Sequence, residues 1–113
     1  MKKIVPIVFA MILANNAAAH SPIESSTPGD GAIIAAVPAE VSLDFVNDIR
    51  LTRVDMVYQD DTAVQLDLGD QIRFDRRFVL PLQAMGAGSY RIEWRGLGAD
   101  GHAMRGDFFF VVE

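Results

Sequence analysis

Cysteine is absent from all 113 residues, which excludes disulfides, thiolate zinc sites, iron–sulfur clusters and cysteine nucleophiles. Any metal chemistry therefore falls to imidazole, carboxylate, amine or thioether groups. A chain of this size without disulfides must rely on its core, and half-apolar composition with one Trp, seven Phe and two Tyr supplies the material for one. Histidine is almost as scarce, with only His20 and His102. No segment carries a 3.6-residue apolar stripe long enough for a helix, and no glycine-rich phosphate loop stands at a strand–helix junction. Ser21, Ser25 and Ser26 lack the G-x-S-x-G context of a serine nucleophile.

Lysine occurs only at Lys2 and Lys3, ahead of an apolar run from Ile4 to Leu13 and the small residues Ala17-Ala18-Ala19. A basic start, a short apolar stretch and an Ala-x-Ala ending are the parts of a secretory signal peptide. The run falls short of the roughly 20 apolar residues that span a bilayer as a helix. Residues 1–19 are thus expected to be cleaved, leaving a single domain at 20–113 that begins with His20 and acts in the periplasm. The alternative is an uncleaved anchor. All 15 acidic residues but only eight of the ten basic ones lie in the mature part, giving a formal charge of about −7 that disfavours nucleic acid and anionic membrane surfaces as partners. The mature domain is expected to be a monomer.

Along the mature chain, apolar residues alternate with polar ones in short runs. Val41, Leu43 and Phe45 form one such set, Val54, Met56 and Tyr58 another, Val64, Leu66 and Leu68 a third, and Tyr90, Ile92 and Trp94 a fourth. Period-two alternation marks half-buried strands. Asn47-Asp48 is expected to break the first of these, Ala32 to Pro38 to be loop or irregular edge, and Pro81 to lie at an edge or a strand end because it has no N–H to donate. Phe108 to Val112, five apolar residues in a row, reads as a strand covered on both sides. Seven or so strands with turns about every ten residues predict an all-β fold, a seven-stranded Greek-key β-sandwich or barrel of immunoglobulin-like or cupredoxin-like type, with Trp94 in its core.

The two histidines acquire meaning from their positions. A chain that starts at His20 owns a chelator, because its α-amine, with an ordinary pKa of roughly 8, and its imidazole Nδ1 can close a six-membered ring on one metal ion. Pro22 has no amide hydrogen to lose, so successive peptide nitrogens cannot wrap the ion, and the remaining ligands must come from elsewhere. Asp100-Gly101-His102, in a loop between two strand-like runs, is the one place that offers an imidazole beside a carboxylate. Amine, two imidazoles and carboxylate make an N,N,N,O set suited to a tetragonal divalent ion, copper(II) first and zinc second. Asp100-Gly101 also reads as a plain turn signal. Met56, Met85 and Met104 are far apart in sequence, so no dedicated copper(I) site is expected.

Several motifs together resemble the CopC family of periplasmic copper-resistance proteins. They are the His20 start after Ala-x-Ala, Ser26-Thr27-Pro28-Gly29-Asp30-Gly31-Ala32, Val41-Ser42-Leu43-Asp44-Phe45, and Gly88 to Arg95 running into Ala99-Asp100-Gly101-His102, followed by Gly106 to Val112. The resemblance covers nearly all of the mature chain and is weakest between Asn47 and Asp75. It implies a seven-stranded Greek-key barrel binding copper(II) through His20, Asp100 and His102, working as a copper carrier or buffer, often beside an inner-membrane copper transport protein. The methionine-rich copper(I) loop of some members has no counterpart in Tyr58 to Ala63, which points to a copper(II)-only member. A glutamate found near copper in some members falls at about Asn47, and Gly98 and Ala103 replace the serine and proline that commonly flank the loop motif.

The leading expectation is therefore a non-enzymatic periplasmic copper(II)-binding protein. A chelating N-terminal histidine plus a second histidine also resembles the histidine brace of copper monooxygenases that attack polysaccharide, but one Trp and two Tyr leave little for a broad substrate face. A sandwich module without metal is the third reading. Intact mass of the exported protein should correspond to a chain beginning at His20; any other start removes the amine–imidazole chelate.

Overall fold

The computed structural model describes residues 22–113, so the expected signal segment and His20 lie outside the described residues. Seven strands follow one another: β1 (Ile23–Thr27), β2 (Ala32–Ile34), β3 (Glu40–Tyr58), β4 (Thr62–Gln65), β5 (Phe74–Pro81), β6 (Gly88–Gly98) and β7 (Ala103–Val112). No helix occurs among the described residues. The expected all-β Greek-key fold is borne out. The hydrogen-bonded order is β1-β3-β6-β7-β2, with β4 and β5 also pairing with β3.

The organising strand is β3, whose 19 residues run without interruption through Asn47-Asp48. The break expected there is instead a change of partners. Leu43 pairs with both Ser26 of β1 and Phe78 of β5, and Ile49 pairs with both Asp75 of β5 and Gly98 of β6. Since β5 holds one edge of β3 at both points, β1 and β6 share the other edge. Between them Val46, Asn47 and Asp48 are exposed, and the β3–β5 register shifts across the same residues. Two polar residues in a row interrupt the apolar alternation without costing the strand its backbone pairing on either side.

Ala32 to Ile34, the expected irregular edge, forms a three-residue strand that pairs parallel to β7. Ile72 is 61% exposed and precedes β5, and Pro81 ends β5.

Alternation delivers the core as the sequence predicts. Val41, Leu43, Phe45, Val54, Met56 and Trp94 are all buried. Phe45 meets the Trp94 ring edge-on at 5.0 Å and Phe78 at 5.9 Å, while Tyr90 stacks on Phe110 at 5.1 Å; such pairs add about 0.5–1.5 kcal/mol beyond the area they bury. The buried Tyr90 hydroxyl donates to Gly86 O at 2.7 Å and accepts from Met85 N at 2.9 Å, tying the approach to β6 onto the core. On β7, Phe108, Phe110 and Val112 are buried, but Phe109 is 48% exposed, so that strand is covered on one side only.

Gly106 on β7 lies opposite Trp94 on β6, and a Cβ there would stand 2.8 Å from the indole Cζ2. The Gly106→Ala variant should therefore lose about 1–3 kcal/mol of stability through overpacking. Chemical denaturation monitored by Trp94 fluorescence reads this directly; an unchanged midpoint would mean that the ring yields without cost.

Candidate metal centre

Gly98 ends β6 and Ala103 begins β7, and the loop between them is tied at its neck. Gly98 N donates to His102 O at 2.9 Å, and Gly101 N donates to Gly98 O at 2.9 Å. Gly101 has a φ of 88°, in the left-handed region where a side chain would be strained, so glycine is needed between Asp100 and His102. The ten-residue pairing of β6 with β7 anchors this loop from behind.

Within the loop the structure brings two of the three sequence-predicted ligands together. Asp100 Oδ1 accepts from His102 N at 3.0 Å, and Asp100 Oδ2 lies 2.8 Å from His102 Nδ1. The side chains are nonetheless open to solvent, 69% for Asp100 and 84% for His102. A carboxylate only accepts, so Nδ1 carries the proton in this pair and Nε2 keeps its lone pair.

The contact shifts both groups. The side-chain hydrogen bond to His102, helped by the His102 backbone N–H, lowers the Asp100 pKa. The same side-chain bond, helped by the charge of Asp100, raises that of His102. Whatever stability the pair contributes is therefore lost as pH rises through the raised His102 value and as it falls through the depressed Asp100 value, and stands in between.

The donor set can be tested against a metal. With Nδ1 turned to the carboxylate, the pair presents imidazole Nε2 and the remaining carboxylate lone pairs to solvent. Imidazole and carboxylate both suit copper(II) or zinc. Two donors do not complete a shell, and among the described residues no group of three or more His, Asp or Glu side chains comes together. A complete shell would need further donors from outside that set.

The chain's entry point bears on where they come from. Val46 N donates to Pro22 O at 2.9 Å, so Pro22 lies against the exposed stretch of β3 between β1 and β6. Running backward along β1 the register climbs β3, from Thr27 opposite Ser42 to Ile23 opposite Phe45. Running forward along β6 it descends, from Tyr90 opposite Tyr58 to Gly98 opposite Ile49. The two segments approach each other head-on along one edge, with Val46 and Ile49 about 10 Å apart at strand spacing.

Met104 is a further neighbour of the loop: its Sδ lies 3.2 Å from the point where a Cβ on Gly98 would stand, and Asp100 Oδ1 is 3.1 Å from that same point.

A family model described as "CopC domain" matches residues 23–113. The chain is 26% identical over 113 residues to copper resistance protein C of Escherichia coli, covering 91% of this chain and 89% of that one. It is 26% identical over 112 residues to copper resistance protein C of Pseudomonas syringae pv. tomato, at 91% and 88% coverage. Copper transport protein CutJ of Bacillus subtilis matches at 26% over 118 residues, 96% of this chain but 21% of the relative, so the chain spans about a fifth of that protein's length. Among solved structures, CopC from Methylosinus trichosporium OB3b superposes with a TM-score of 0.70 at 23% identity, over 83% of this chain and 94% of that one, a likeness of fold. PcoC, a methionine-rich copper resistance protein from Escherichia coli, superposes with a TM-score of 0.57 at 25% identity, over 84% and 100%.

In the metal-free protein, NMR titration of the His102 ring should give a midpoint above the ordinary histidine value of 6.5. The Asp100→Asn variant should bring it back toward that value, and an unmoved midpoint would show that the carboxylate does not hold the ring.

Proposed function

The chain belongs to the CopC domain family, and we propose that it serves there as a periplasmic copper(II) carrier or buffer in copper homeostasis, without catalytic activity. The relatives named copper resistance protein C support copper as its cargo. The amine and imidazole of His20 supply two nitrogens, His102 a third and Asp100 an oxygen. Cleavage after Ala19 unmasks the chelate, so export itself prepares the site.

The observation that carries this reading is the convergence of two strands on one edge of β3. Pro22 meets Val46 and Gly98 meets Ile49, and His20 is only two residues upstream of Pro22. Two residues of extended chain reach about 7 Å, and both segments point into the gap of about 10 Å. The exposure of Asp100 and His102 suits a cargo site, because an ion held at the surface can be handed on by ligand exchange. What receives the ion is, in this reading, an inner-membrane copper transport protein. The likeness to CutJ supports it, since that copper transport protein carries the matching region within a much longer chain.

A histidine-brace monooxygenase would need an open face for polysaccharide beside the metal. Trp94 and Tyr90 are buried, at 1% and 0% exposure, and neither can provide it. Copper-loaded protein given reductant, peroxide and chitin or cellulose should release no oxidised oligosaccharide.

Adding one residue before His20 should weaken copper(II) binding by about 100-fold or more, because the amine and imidazole would no longer close one ring. A copper(II) titration followed by electron paramagnetic resonance measures this. Equal affinity in the extended protein would show that the amine is not a ligand.

A further inference from the structure

Met104 lies two residues beyond His102, near the start of β7, on the inward side of that strand with Gly106 and Phe108. It is half-buried and packs against the core, but its sulfur does not end among hydrocarbon alone. Gly98, across the neck of the loop, has no side chain. The Met104 thioether and the Asp100 carboxylate both lean into the space above it, each within about 3.2 Å of the point that a Cβ at Gly98 would take. Asp100 in turn holds His102 at 2.8 Å. A soft neutral sulfur and a hard anionic oxygen thus flank one point above Gly98, and the other oxygen of the same carboxylate holds an imidazole of intermediate character.

Those three donors differ in what they prefer. Carboxylate oxygen suits a divalent ion, thioether sulfur suits copper(I), and imidazole accepts either. We propose that Met104 is a copper(I) ligand, so that the Asp100–His102 site accepts the reduced ion through sulfur and imidazole as well as copper(II) through oxygen and imidazole. The proposal rests on the reading of His102 as a copper ligand. It departs from the copper(II)-only expectation, which rested on the methionine-free turn at Tyr58 to Ala63 and on the wide sequence spacing of Met56, Met85 and Met104. Gly98 is the enabling residue: a larger residue there would press on the Met104 sulfur and on the carboxylate together.

The test uses the processed protein beginning at His20, with copper(I) supplied anaerobically and its affinity measured by competition with a chromophoric bicinchoninate-type chelator. X-ray absorption of the copper(I)-loaded wild type should contain a sulfur scatterer at about 2.3 Å, the usual metal–sulfur distance. The Met104→Leu variant, which conserves volume, should lose that scatterer and bind copper(I) about tenfold or more weakly, while copper(II) affinity stays within about twofold. Met85→Leu removes the other half-buried thioether, placed 3.8 Å from Gln83 Nε2, and should change neither. Absence of sulfur scattering in the wild type overturns the proposal whether or not any variant folds, and so does unchanged copper(I) affinity in Met104→Leu. If copper(II) binding also survives His102→Ala, the underlying reading falls too. If His102→Ala abolishes it while Met104→Leu has no effect, only the copper(I) role falls.

Discussion

Two strands share one edge of β3 and run toward each other. β1 enters from one side and β6 leaves from the other, and the three exposed residues Val46, Asn47 and Asp48 are what separates them. Backbone pairing fixes both approaches, because a slip of one residue in either register would turn buried residues such as Phe45 or Trp94 out to solvent. The direction in which the segment at Pro22 and the β6–β7 loop point is therefore set by the same burial that stabilises the fold. A metal site assembled from those two places gets its preorganisation from the sheet.

The loop itself is economical. Its neck is closed by backbone hydrogen bonds from Gly98 and Gly101, its turn is permitted by the positive φ of Gly101, and its two polar side chains bind each other at 2.8 Å. None of this needs burial, and both side chains remain open to solvent. In the proposed role that openness has a use, since a carrier must release its ion as well as hold it. The hydrogen bond from Nδ1 to the carboxylate sets the tautomer of the imidazole and limits the rotation of its ring, so a metal meets a prepared group. The price is competition with a proton, for the carboxylate that orients the imidazole also raises its pKa.

Much of this was legible in the residues. Alternation at Val41 to Phe45, Val54 to Tyr58 and Tyr90 to Trp94 marked buried strand faces, because side chains on a pleated strand point alternately in and out. The D-x-H spacing with glycine between gave the loop pair. Three features were not legible, for reasons of long-range pairing. Asn47-Asp48 has the composition of a strand break, yet β3 continues because β5 and β6 take up its backbone on either side of the gap. Ala32 to Ile34 has no period of its own, and it is a strand only because β7 lies alongside. Phe109 reads as buried within an apolar run, but nothing covers the outer side of β7 there.

The account stands or falls on whether imidazoles from the two ends of the processed chain meet on one ion. Electron spin-echo envelope modulation of the copper(II)-loaded protein beginning at His20, at one equivalent of copper, reports the remote ring nitrogens of coordinated imidazoles. The account predicts combination lines from two imidazoles on a single copper. A spectrum of one imidazole per copper would contradict it.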